Sequence, residues 1–149
     1  MLRPIGATLG LILALTAGVV VSKQRSDLQA SAIVSQQQAQ RQDFDWGTLY
    51  TYFNRETYGT RDGLAAVAVI RPGWEIHPPH QHAEEEYLMV VEGSGMWHLN
   101  GQEREAKPGD MQYAAPWDVH GIKNTGNTPL RFVVWKWNNK GVVPLARPK

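Results

Sequence analysis

Residues 80–110 read HQHAEEEYLMVVEGSGMWHLNGQEREAKPGD, and this stretch decides the fold. Glu86–Val91 is an apolar run of strand length, closed by Gly93-Ser94-Gly95. Met96–Leu99 then meets Asn100-Gly101, a pair that favours positive φ at both central residues of a two-residue hairpin, and Gln102–Ala106 returns from it. Lys107-Pro108-Gly109-Asp110 is a turn in which proline sets φ and glycine supplies the tight bend. Working outward, Leu49–Phe53, Leu64–Ile70, Met111–Ala114, His120–Lys123 and Leu130–Trp137 are further short runs of apolar, β-branched or aromatic residues. Gly59, Asp62-Gly63, Gly126 and Pro129 punctuate them. Many short strands with tight turns and no helix signal predict an all-β sandwich or closed barrel over about residues 46–140, with a tail at 141–149.

The same stretch carries a cluster of metal-ligating residue types. His80 and His82 are two apart, which in extended chain puts both imidazoles on one face about 6 to 7 Å apart. Glu86 has the same parity, but six residues of strand would carry it ~20 Å from His80. A shared ion therefore requires the chain to reverse at Ala83-Glu84-Glu85, with Glu86 opening an antiparallel neighbour and His120 arriving from a later strand. Such donors should gather within roughly 3–4 Å of one another, as bonds of 2.0–2.3 Å to one centre dictate. Glu84 and Glu85 compete for the carboxylate role and otherwise read as solvated turn residues. His77 precedes Pro78-Pro79 and reads as a rim or turn residue, with proton shuttle or spare ligand as the alternatives.

At these residues the chain resembles the cupin superfamily. His80-x-His82-x3-Glu86-x6-Gly93 is similar to the first cupin motif, and Gly109-x5-Ala115-x-Trp117-x2-His120-x3-Asn124 has the spacing of the second. The likeness covers Gly73 to Asn124, and the strand pattern extends it to Trp137. Gly73 stands one residue early, with Trp74 in the usual glycine slot; Ala115 and Trp117 replace the usual proline and glycine around Pro116. The resemblance implies a single double-stranded β-helix, or jelly-roll, barrel holding one divalent transition metal through His80, His82, Glu86 and His120. Three imidazoles and a carboxylate leave one or two open positions on a six-coordinate ion and suit Fe or Mn first, with Ni, Co and Zn as alternatives.

The chemistry at such an ion is not written in the sequence. One reading is a small-molecule enzyme of oxygenase, isomerase, lyase or decarboxylase type. The other is a non-catalytic cupin that binds or senses a small ligand. An enzyme needs an acid or base beside the ion, and His98, Tyr50, Tyr52 and Gln112 are the candidates for that role. Trp135 and Trp137 share a face, so one of them is expected to border the interior. By analogy, two chains are expected to pair as a homodimer, with Leu49–Phe53 as one strand able to meet a second chain.

Composition narrows the field. In 149 residues, Lys plus Arg (15) nearly balances Asp plus Glu (14), so no net field favours nucleic acid. The chain has no cysteine, which excludes disulfides, thiolate metal sites and cysteine nucleophiles. The segment Ile5–Val21 (IGATLGLILALTAGVVV) is charge-free and flanked by Arg3, Lys23 and Arg25. It reads as an uncleaved membrane anchor or a signal peptide within residues 1–22, sending the domain to the cell envelope, periplasm or exterior. Residues 23–45, rich in glutamine, read as a linker, with Ser26 able to cap a short helix containing Leu28, Ala32 and Ile33.

Overall fold

The computed structural model describes residues 28–149. Nine strands occupy it: β1 (Gln40–Phe44), β2 (Gly47–Phe53), β3 (Thr60–Ile70), β4 (Glu85–Glu92), β5 (Gly95–Leu99), β6 (Gln102–Ala106), β7 (Met111–Ala114), β8 (His120–Lys123) and β9 (Leu130–Asn139). They form two antiparallel sheets, one in the order β1-β2-β3-β9-β4-β7 and one in the order β6-β5-β8. Among the described residues there is no helix, and none long and apolar enough to cross a membrane. The anchor or signal reading of Ile5–Val21 falls outside the described residues.

The apolar alternation explains which face each strand buries. Ala66, Ala68 and Ile70 of β3, Leu88 and Val90 of β4, and Leu130, Phe132 and Val134 of β9 are every second residue, and all are buried. Trp97 of β5 and Ile122 of β8 close over them from the smaller sheet. The jelly-roll core therefore lies between the sheets, as period-two side-chain alternation requires.

The β5–β6 hairpin has the expected register, with Leu99 opposite Gln102. Asn100 and Gly101 both have positive φ, at 50° and 80°, as a two-residue turn of the mirror-image type demands. Gly93 also has positive φ, and a Cβ there would collide with the Pro129 carbonyl oxygen, so the glycine after β4 is required twice over.

Four features depart from the sequence reading. Asp62-Gly63 is a bulge inside β3, with Asp62 at φ 54° and the register to β9 shifting between Arg61 and Leu64. β1 falls within the stretch read as linker. All its residues are exposed, and it pairs with β2 through the backbone, so no hydrophobic alternation marks it. Leu28, Ala32 and Ile33 are not helical, and Ile33 is fully exposed with nothing to bury against. Finally, β2 is flanked by β1 and β3, which leaves Leu49–Phe53 no free edge for a second chain.

Asn124 locks the loops that lead to the site. It is fully buried; its amide nitrogen donates to the carbonyls of Ile70 (2.8 Å) and Thr128 (2.9 Å), and its oxygen accepts from Gly126 N–H (2.9 Å). Asn124→Ala should lower stability by about 2–4 kcal/mol, because three bonds are lost and buried backbone groups are left unpaired. Chemical denaturation checks this; an unchanged midpoint would show that water replaces the amide at no cost.

Candidate metal centre

His80 and His82 sit on an irregular segment rather than a strand. Pro78 and Pro79 supply no N–H, so no ladder can run through them. A single bridge fixes His80 against β8: His80 N–H donates to the His120 carbonyl (3.0 Å) and His120 N–H donates back (2.8 Å). After His82 the chain bends at Ala83-Glu84 and enters β4, passing from beside the smaller sheet into the larger one. The reversal is thus a change of sheet, and the two segments are not paired as antiparallel neighbours. Glu86 lies on the inward face of β4, in register with Lys136 of β9 and Ala114 of β7.

The structure brings His80, His82, Glu86 and His120 together. The ring centroids of the three imidazoles are 4.7–5.1 Å apart. One ligand nitrogen from each lies within 4.8 Å of the others, a wider spread than the 3–4 Å expected. Glu86 approaches His82 Nε2 at 3.3 Å with one carboxylate oxygen and His120 Nε2 at 3.4 Å with the other.

Backbone carbonyls set the tautomers. His82 Nδ1–H donates to the Glu84 carbonyl (3.2 Å) and His120 Nδ1–H to the Asp118 carbonyl (2.8 Å), which turns each Nε2 lone pair inward. Three buried ring nitrogens, Nδ1 of His80 and Nε2 of His82 and His120, have no hydrogen-bond partner. Orphaned buried nitrogens are costly, and a divalent cation among them would satisfy their lone pairs. The donor set therefore fits a metal ion.

Glu86 and His80 are in the charge states a metal needs, while His120 is biased toward its protonated form, which an arriving cation would displace. Burial pushes the Glu86 carboxyl up, but His120 and then His82 outweigh it and hold it down to about 2, so Glu86 is ionised. Burial, with repulsion from His77, His120 and His82, lowers His80 to about 4 against the pull of Glu86, leaving it neutral and free to donate a lone pair. Burial lowers His120 too, yet Glu86 and the Asp118 carbonyl together raise it.

A cavity of about 190 Å³ adjoins His80, Glu86 and His120. Its walls are mainly apolar, with Leu49, Leu64, Leu88, Phe132 and Val134 among them, and His77 and Lys136 are its polar residues besides the ligand candidates.

None of His98, Tyr50, Tyr52 and Gln112 lines this cavity. His98 alternates with buried Trp97, so it faces outward and contacts Glu103 at 3.3 Å. Tyr50 and Tyr52 alternate with buried Thr51 and take the outer face of β2. Gln112 does face inward, but it donates to the His98 carbonyl (3.0 Å) and borders a different cavity. His77 is exposed, with its ring centroid 3.9 Å from that of His80.

Two site residues went unread as such. Glu84 is a half-buried partner of His82, its carboxylate 3.3 Å from Nδ1, rather than a solvated turn residue. Glu85 does not join it; it accepts from Tyr113 and Asn139. On β9 the inward positions are 130, 132, 134 and 136, so Lys136 faces in while Trp135 faces out. The alternation Phe132-Val134-Lys136 was the available signal.

Trp117 has φ 70°, the left-handed region that favours glycine, at the motif position where glycine is usual. Its contacts hold it there: N–H to the His82 carbonyl (2.8 Å) and indole N–H to the Leu145 carbonyl (2.6 Å). Gln81, between the two histidines, donates to the Trp117 carbonyl (2.9 Å) and accepts from Arg147 (2.9 Å) in the amide orientation that satisfies both. The tail at 141–149 thus braces the segment that carries His80 and His82.

The Cupin domain family profile matches residues 66–136, the span from β3 to the end of the site. The chain belongs to the cupin superfamily. An oxalate-binding protein of Thermotoga maritima is 30% identical over 80 residues, which is 54% of this chain and 66% of that one. A gentisate 1,2-dioxygenase of a Streptomyces species is 27% identical over 77 residues, 51% of this cupin and 21% of that enzyme. This cupin therefore spans less than two thirds of either relative. A crystal structure described as a predicted oxalate decarboxylase of Thermotoga maritima superposes with a TM-score of 0.60 at 24% identity, covering 71% of this chain and 98% of that one.

Proposed function

We propose that this cupin holds one divalent transition metal, Fe or Mn before Ni, Co or Zn, through His80, His82, Glu86 and His120, and binds a small oxygen-bearing molecule at it. The observation that carries the reading is the convergence of three buried, unpartnered imidazole nitrogens and an ionised carboxylate beside an apolar cavity. Bound there, the metal would supply Lewis-acid or redox chemistry at its open positions. The protein's residues would hold the ion, exclude water from the apolar side and orient the ligand. Support for the ligand class comes from the relatives, of which one is described as oxalate-binding and one as acting on gentisate.

Binding takes precedence over turnover because the four acid–base candidates stand away from the cavity. An enzyme is the second reading, favoured by Lys136, a protonatable group on the cavity wall. The charge-free run Ile5–Val21 supports a place outside the cytoplasm, anchored in or released from the membrane.

Calorimetric titration of the Mn(II)-loaded and metal-free protein with a panel of small carboxylic and hydroxy acids, monoanions and oxalate among them, tests the reading. Binding is expected only with metal present. Equal heats from both forms, or none from either across the panel, would refute it. Conversion of a bound compound under the same conditions would promote the enzyme reading.

A further inference from the structure

We infer that Lys136 makes this cavity selective for a monoanionic ligand, a small carboxylate with an apolar body, an inference that rests on the proposed metal-dependent site and deepens it.

Lys136 continues an inward series that is otherwise apolar: Leu130, Phe132 and Val134 all point into the core. A cation at the next inward position is out of pattern; its side chain is only 28% exposed and is paired with Glu84. It stands directly across from Glu86 in the β4–β9 register and lines the same cavity. Its one hydrogen-bond partner among the described residues is Glu84, 3.3 Å from Nζ. An ammonium has three N–H donors, so two remain for a ligand.

Charge counting gives the ligand its sign. With a divalent ion in place, Glu86 and Glu84 cancel the metal's charge, and Lys136 leaves one positive charge over. A monoanion neutralises it; a neutral molecule does not. The apolar walls give the ligand its body. Leu49, Leu64, Leu88 and Phe132 offer no hydrogen-bonding side chain, so the part of the ligand turned from the metal and Lys136 should be hydrocarbon. Without Lys136 the site and its ion would be neutral overall, and only the metal's own preference for a carboxylate oxygen would remain.

The test uses isobutyrate and isobutyramide, a shape-matched acid and amide, on full-length protein loaded with Mn(II). Paramagnetic broadening of the ligand methyl protons measures binding near the ion, and elemental analysis of the same samples measures metal content. The parent should bind isobutyrate roughly tenfold to a hundredfold more tightly than isobutyramide, as one charge-assisted hydrogen bond would give. Lys136→Met should narrow the preference by roughly tenfold or more with metal content unchanged, and Lys136→Arg should restore most of it. Should Lys136→Met fold poorly, Lys136→Gln, which keeps a polar head, carries the same expectation. If the parent holds Mn(II) but binds acid and amide alike, or if the lysine variants weaken both equally, the role given to Lys136 is wrong while the metal site stands. If the parent retains no Mn(II), the metal site itself fails and the inference falls with it.

Discussion

The double variant His80→Ala, His82→Ala is expected to come through gel filtration after Mn(II) loading with essentially no bound metal. The two rings supply half of the four donors, and their removal leaves Glu86 and His120 as the remaining pair. Losing an outer partner of a metal ligand commonly costs 10–100-fold in affinity, and losing two ligands costs far more. The fold should survive, because both histidines lie on an irregular segment outside the buried core. His77→Ala is the contrast. His77 is exposed and meets the His80 ring edge-on, so metal affinity should change by less than about threefold, as expected of a residue that does not ligate. Competition with a chromogenic chelator gives both numbers. Full metal occupancy in the double variant would show that the ion, if bound, sits elsewhere.

Phe132→Ala should cost about 3–5 kcal/mol of stability, the range for deleting a buried aromatic side chain. Phe132 is 2% exposed and lies on β9, opposite Ala68 of β3 and Val90 of β4. Two of its neighbours, Ala66 and Ala68, are small and already fully packed, so they cannot fill the void. That loss is a large part of the 5–15 kcal/mol that holds such a domain folded. The same ring walls the cavity, so the variant also tests whether core and site share one packing unit. Urea unfolding monitored by tryptophan fluorescence measures the change. A cost below about 1 kcal/mol would mean that the core collapses onto the gap.

The strands that face the core were legible because alternation and turn chemistry act locally. Asn100-Gly101 can adopt the two positive φ angles its hairpin needs, and Leu130, Phe132 and Val134 repeat every second residue. β1 was not legible, since a polar strand held by backbone pairing leaves no mark in side-chain pattern. Likewise Asp62-Gly63 has turn composition, yet pairing with β9 on either side of it absorbs it as a bulge.

At the site, parity grouped His80, His82 and Glu86, although the segment is not a strand and the turn after it changes sheets. Lys136 was missed because Trp135 and Trp137 draw the eye to the wrong face. They stand outward, and the inward place falls to the lysine between them. His98, Tyr50 and Tyr52 failed as acid–base candidates by the same rule of two, each alternating with a buried neighbour. Glu84 could not be told from a solvated turn residue, because its value depends on where the bend sets its carboxylate relative to His82.

Elemental analysis of the purified full-length protein, equilibrated with Fe(II) or Mn(II) and freed of excess, bears most directly on the metal centre. A single divalent ion per chain is expected, lost on replacement of His80 and His82 and retained on replacement of His77. A well-folded parent protein that binds no divalent metal under these conditions would contradict it.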